Sequence, residues 1–132
     1  MPPGRHLADV RASGARMCRL GMVMRADGSD KRVLTHNGAA NFAPYFHPNG
    51  RQIIFASNVN NPNPRSPNFD LFLINRDGTG LEQITFDEGF DGFPMFTNDA
   101  KHLIWASSRN GKTETETNVF IADWVEKASS SD

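Results

Sequence analysis

The sequence predicts an all-β chain of stacked, four-stranded antiparallel sheets, and three observations carry that prediction. The chain repeats itself at an offset of 50 residues. Its apolar runs are short and apolar on both faces. Prolines and Asn/Asp-Gly turns punctuate it wherever a helix would have to continue, at Pro44, Pro48, Pro62, Pro64, Pro67 and Pro94, and proline breaks a helix interior by removing a donor and clashing with the preceding turn.

Residues 25 to 58 align with 75 to 108 without a gap, and eight of the 34 pairs are identical: Asp27/Asp77, Gly28/Gly78, Thr35/Thr85, Pro44/Pro94, Phe46/Phe96, Ile54/Ile104, Ala56/Ala106 and Ser57/Ser107. Ile53/Leu103, Phe55/Trp105, Asn41/Asp91 and Arg51/Lys101 are conservative pairs. The matches fall at turn and strand-core positions, where a structural repeat constrains sequence.

Along the chain, residues 1 to 20 form a basic arm that is either disordered or a short helix. Leu7, Val10, Met17 and Leu20 lie roughly on one helical face, but Gly14 weakens it. A half unit follows over 21 to 36, where Asp27-Gly28 turns a hairpin into Lys31 to His36. The full unit, 41 to 86, has strands expected near 42 to 47, 52 to 57, 69 to 75 and 81 to 86. His47-Pro48-Asn49-Gly50 supplies the first turn and Asp77-Gly78 the last. The last unit, 91 to 123, has strands near 93 to 97, 102 to 107 and 118 to 123, and residues 126 to 132 form a disordered tail. Strands apolar on both sides, such as Ile53-Ile54-Phe55-Ala56, must lie between neighbouring sheets, because an antiparallel strand with one wet face would alternate. Four short strands per ~40 to 50 residues with sheets stacked face on face is the blade of a β-propeller. The expected core is Phe46, Ile54, Phe55, Phe72, Ile74, Phe96, Ile104, Trp105 and Phe120.

The frame Pro-x-Phe-x-x-Asn/Asp-Gly/Ala-Arg/Lys-x-Ile/Leu-Ile-Phe/Trp-Ala-Ser, followed by Asn/Asp-hydrophobic-Phe, Asp-Gly-Ser/Thr and Leu/Ile-Thr, resembles the WD-like repeat of TolB-type propellers over roughly residues 20 to 125. Asn118 to Trp124 resembles the closing strand of a last blade. The resemblance implies a six-bladed ring, of which this chain holds about two and a half blades, the C-terminal ones of a longer product. It implies a non-catalytic interaction module that binds the peptidoglycan-associated lipoprotein and Tol partners in the periplasm. The same repeat occurs in propellers of prolyl-oligopeptidase-like peptidases and lyases, where it binds or gates substrate, so that reading stands beside the first. If the chain stands alone, two copies of about three blade-equivalents close the ring as a homodimer; if its N-terminus is genuine, it is cytoplasmic.

Composition narrows the chemistry. Fourteen Lys and Arg face fifteen Asp and Glu, and the mean hydropathy is -0.51, with no apolar run of the ~18 residues that a spanning helix needs. The first 32 residues hold seven basic and three acidic side chains, a density that suits a solvated tail rather than a nucleic-acid arm. The N-terminus lacks the ~7 to 15-residue apolar stretch of a secretory signal. Cys18 is the one cysteine, so no internal disulfide forms and no metal-ligand spacing exists. His6, His36, His47 and His102 stand in no metal-binding spacing and are assigned structural or surface roles. No Gly-x-Ser-x-Gly elbow occurs, and no catalytic, cofactor or metal residue is assigned. Ser57 and Ser107 recur at equivalent strand ends, which argues for a hydrogen bond within the blade. Asp87, Glu88 and Asp91 cluster, but without the spacing of a calcium loop, so a calcium ion near Asp87 and Asp91 stays an open question. The loops 58 to 68 and 109 to 117 lie on a rim, where propellers engage protein partners. Asn60, Asn61, Arg65, Arg109 and Lys112 are the candidate contact residues.

Overall fold

The computed structural model describes residues 5–11, 19–35, 39–60, 68–113 and 115–126, with the backbone alone at 5–11 and 19–21. Ten strands and no helix occur among them: β1 Arg5–Arg11, β2 Arg19–Arg25, β3 Arg32–Val33, β4 Asn41–Phe46, β5 Gln52–Ser57, β6 Asp70–Asn75, β7 Glu82–Gln83, β8 Asp91–Phe96, β9 His102–Ser107 and β10 Asn118–Asp123. They form three meandering antiparallel sheets, β1-β2-β3, β4-β5-β6-β7 and β8-β9-β10. The chain is a partial β-propeller.

The middle sheet is buried on both faces because its strands alternate between two cores. Ile53, Phe55, Phe72 and Ile74 meet Val23 and Leu34 of the first sheet. Ile54, Ala56, Leu71 and Leu73 meet Phe96, Leu103 and Trp105 of the last. Aromatic side chains fill both seams, as in the Phe55–Phe72 stack and the edge-on Phe96–Trp124 pair at 4.8 Å.

The repeat is visible in its turns. Asp27 and Asp77 each accept a hydrogen bond from the N–H two residues on, at 2.9 and 3.0 Å, while Gly28 and Gly78 take φ of 86° and 90°, which only glycine adopts without strain. Each inner strand carries a bulge, between Phe42 and Tyr45 in β4 and between Gly92 and Met95 in β8. Ala43 and Phe93 sit there at φ of 56° and 50°. The proline that follows has no N–H to give to the ladder, so the pairing is interrupted where a donor is missing anyway. The sheets are also tied along the rim: the Ala40 N–H donates to Asn58 Oδ1 (2.9 Å) in the first copy and the Phe90 N–H to Ser108 Oγ (2.8 Å) in the second. Asp91 N–H then donates to Phe69 O across the seam at 2.8 Å.

Several expectations are corrected. The arm at residues 1 to 20 was expected to be disordered or helical; over Arg5–Arg11 it is a strand, paired in register from Arg5↔Arg25 to Arg11↔Arg19. Without it β2 would present an unpaired backbone edge, and strand pairing satisfies those donors and acceptors. The strand expected over 81 to 86 pairs only at Glu82–Gln83. Past it, the Ile84 and Thr85 N–H groups both converge on Leu71 O, and Gln83 Nε2 donates to Thr85 O at 2.9 Å, bending the chain toward the next sheet. Ile104 and Phe120 are half-buried rather than core: Ile104 lies on the uncovered face of the last sheet, and Phe120 packs against Trp105 from the edge strand β10, while Ile53, Leu71 and Leu103 belong to the core. Of the tail expected to be disordered over 126 to 132, Glu126 is held by His47 and Trp124, and 127 to 132, like the residues 12 to 18 that include Cys18, lie outside the described residues.

Phe96 is buried between Trp124 and the His47 ring, so Phe96→Ala is expected to lower stability by about 3 to 5 kcal/mol in a denaturant melt. Phe86→Ala, at a ring 73% exposed, should change it by less than about 0.5 kcal/mol.

Candidate functional site

Charge enters this stack at its rim. Asp91, the first residue of β8, is fully buried, and an unpaired carboxylate there would cost several kcal/mol. It is instead held from two sides: Arg109 Nη2 donates to both carboxylate oxygens, at 3.0 and 2.9 Å, and Trp105 Nε1 donates to Oδ1 at 3.1 Å. The guanidinium also donates through Nε to Ser107 Oγ at 2.9 Å and lies over the Trp105 ring, 5.3 Å from its centre. The first repeat carries Asn41, Phe55 and Val59 at these three positions. Carboxylate, indole and guanidinium therefore replace amide, phenyl and isopropyl as a set, since any one alone would leave a buried group unmatched.

Across the seam Asp70, the first residue of β6, is also buried. Desolvation, and then the negative charge of Asp91, push its carboxyl up to about 6 from the ordinary 3.8. Thr85 Oγ1 donates to Oδ1 at 3.5 Å and Gln83 Nε2 to Oδ2 at 3.3 Å, which offsets part of that cost. Beside this pair a cleft of about 590 Å³ opens, lined by Asp87, Glu88, Ser108, Asn110, Lys112 and Thr113 among others. Its lining carries both signs of charge with hydroxyl and amide groups. Among the described residues no group of three or more His, Cys, Asp or Glu is placed to hold a metal ion. Asp91, one of the two residues raised for calcium, has its carboxylate occupied by Arg109.

The five candidate contact residues divide. Lys112 is exposed on the cleft and Asn60 is exposed on the same rim, its amide donating to Gln83 Oε1. Arg109 lies inward on Asp91. Asn61 and Arg65 lie outside the described residues. Ser57 and Ser107 are buried, and each hydroxyl accepts the N–H two residues on, Val59 at 3.2 Å and Arg109 at 3.1 Å. That is the blade hydrogen bond their recurrence implies. At the opposite rim His47 is buried rather than at the surface. Its Nδ1 accepts from the Asn49 N–H at 3.0 Å, which leaves Nε2 to donate to Glu126 Oε1 at 2.7 Å, and Trp124 Nε1 donates to the same oxygen at 3.2 Å. The residues after β10 are thereby clasped to the middle sheet. A second cleft, of about 600 Å³, opens beside this clasp between Asn49, Arg51, Arg76 and Asp77.

No family model and no curated protein matches the chain. Solved structures do. A protein assigned as TolB from Agrobacterium tumefaciens superposes with a TM-score of 0.73 at 21% identity, over 91% of this chain and 42% of that one. TolB from Acinetobacter baumannii gives 0.73 at 19% identity, over 91% of this chain and 28% of that one. A prolyl endopeptidase gives 0.62 at 14% identity, over 98% of this chain and 20% of that one. These likenesses establish the fold alone, that of part of a β-propeller, and the chain spans less than half the length of each structure.

Removing the cation from the buried pair by Arg109→Ala is expected to cost about 3 kcal/mol in a thermal or denaturant melt, while Lys112→Ala should stay within about 0.5 kcal/mol. The raised carboxyl of Asp70 means that the folded state holds its proton more tightly than the unfolded chain. Its contribution to stability is therefore full below the unfolded value of 3.8 and is lost as pH rises through about 6. Asp70→Asn should match the parent chain at acidic pH and exceed it above pH 6 by on the order of 1 to 3 kcal/mol, as followed by melts across pH.

Proposed function

We propose that the chain is a non-catalytic β-propeller interaction module that docks a protein partner in the cell envelope, on the periplasmic side, through the rim carrying Asn60 and Lys112, with Asn61 and Arg65 in the same loop. The observation that carries this reading is the character of that rim. The cleft beside Asp87, Glu88 and Lys112 is open, polar and of mixed charge, the composition of an interface rim. The two histidines with carboxylate partners, His47 with Glu126 and His102 with Asp123, face no serine or cysteine hydrogen-bonded to the ring, so no nucleophile and base meet among the described residues. The likeness to TolB structures supports the module.

A second reading, a substrate-binding or gating segment of a prolyl-oligopeptidase-like peptidase or a lyase, is favoured by the superposition on the prolyl endopeptidase over 98% of this chain.

Titration calorimetry of the full chain with the soluble domain of a peptidoglycan-associated lipoprotein separates the two. Saturable binding, weakened about tenfold by Lys112→Glu, is the expected result. Absence of heat with that domain, together with retention of a proline-containing peptide on the cleft, would favour the second reading.

A further inference from the structure

One end of the middle sheet carries two cations side by side. Gln52 pairs with Asn75 where β5 and β6 meet at that end, and the next residues out, Arg51 and Arg76, continue the ladder, with the Arg76 N–H donating to Arg51 O at 2.8 Å. Like charges placed directly opposite each other across strands repel. Both side chains are exposed, and Arg76 Nη1 donates to Gly50 O at 3.3 Å, which brings its guanidinium to the turn that Arg51 follows. Neither guanidinium has a carboxylate within ion-pair distance among the described residues. The acids that share the cleft of about 600 Å³ with them are Asp77 and Glu126, and both are engaged elsewhere. Asp77 accepts from the Thr79 hydroxyl and N–H at 2.6 and 3.0 Å, and those bonds hold its carboxyl below the ordinary 3.8. Glu126 accepts from His47 and Trp124. The last sheet lacks the cation pair: Trp124 stands where the middle sheet has Arg76, its N–H donating to Lys101 O at 2.7 Å.

We propose that this cleft binds a carboxylate of an acidic protein segment, held by Arg51 and Arg76. A guanidinium presents a planar fork of donors that matches a carboxylate through two parallel hydrogen bonds. An anion shared by two like charges also removes the repulsion that the bare pair carries. The Asn49, Gln52 and Asn75 amides on the same cleft offer neutral donors and acceptors to the peptide groups beside that carboxylate. Asp77 and Glu126 narrow the choice of anion, because negative charge at the margin favours a singly charged carboxylate over a more highly charged phosphate. The site lies on the middle sheet, whose two faces are both covered by sheets of this chain, so it rests on neither outer face. It is on the rim opposite to Asn60 and Lys112 and is independent of what that rim binds.

Fluorescence anisotropy of the full chain with a labelled, end-capped tetraglutamate peptide at low ionic strength should give saturable binding that fades with added salt. Arg51→Gln and Arg76→Gln should each weaken it about tenfold, and Arg51→Lys, which keeps the charge and loses the fork, should weaken it by less. Lys101→Gln removes the same charge from the equivalent place in the last sheet and should leave binding within about twofold of the parent. All three positions are exposed, so melts and far-ultraviolet spectra should be unchanged, which separates loss of binding from loss of fold. Inorganic phosphate should compete poorly. The proposal is overturned by absence of saturation up to about 1 mM peptide, or by unchanged binding in either glutamine variant of the arginines. Equal weakening by Lys101→Gln would overturn it too, since diffuse attraction to the cations of the chain has that signature, as would phosphate displacing the peptide at a comparable concentration, which would assign the cleft to phosphate.

Discussion

Everything in this chain follows from strands that are apolar on both sides. A sheet of such strands is stable only when each face is covered, since each exposed leucine- or isoleucine-sized side chain forfeits roughly 1.5 to 3 kcal/mol of burial. Ile53 and Ile54 are adjacent in sequence, both almost completely buried, and buried in different cores. Stacking is therefore the condition for the sheet to exist at all. Turns, bulges and rim ties are arranged to hold the sheets face to face: the positive-φ residue before each inner-strand proline bends β4 and β8 at the same point, and the Asn58 and Ser108 side chains fasten equivalent strand ends.

Once the faces are committed to stacking, polar chemistry is confined to strand ends. Asp70 and Asp91 begin their strands, Ser57 and Ser107 end theirs, and His47 follows β4. Each is buried because the sheets press together there, and each needs a partner reached across a turn or a seam. Asp91 receives a full counter-charge. Asp70 receives only neutral donors and sits near a second carboxylate, so its proton is held more tightly. The two aspartates thus differ in their partners, a guanidinium on Asp91 and neutral donors on Asp70, and desolvation, with the charge of Asp91 beside it, raises the Asp70 carboxyl.

The stacked-sheet architecture and the strand positions were legible in the sequence because they rest on local patterns repeated in register: double-sided apolar runs, Asp-Gly turns, prolines at matched places. The serine role was legible for the same reason, since a hydrogen bond to the N–H two residues on recurs wherever the turn recurs. The role of Arg109 was available but passed over. Compared with the first repeat, Asn41, Phe55 and Val59 change together to Asp91, Trp105 and Arg109, and only their joint change is physically balanced. His47 was not legible, because its partner Glu126 lies 79 residues away and beyond the aligned repeat. The first strand was also missed: Leu7, Val10, Met17 and Leu20 suit a helical face, and the need of β2 for a strand partner outweighed that weak preference.

Burial in such a chain is a property of place in the stack more than of residue type. Ile54 and Ile104 are the same residue at the same repeat position, one wholly buried and the other half-exposed, and Leu73 and Ile121 differ in the same sense. A pattern that encodes core in one sheet encodes, in the next, a face uncovered among the described residues, with no change in its chemistry. Natural proteins seldom leave a long apolar sheet face open, because it invites uncontrolled pairing. Such a face is stable only against a neighbouring sheet, which is why the alternation that buries Ile54 in the middle sheet leaves Ile104 half-exposed in the last.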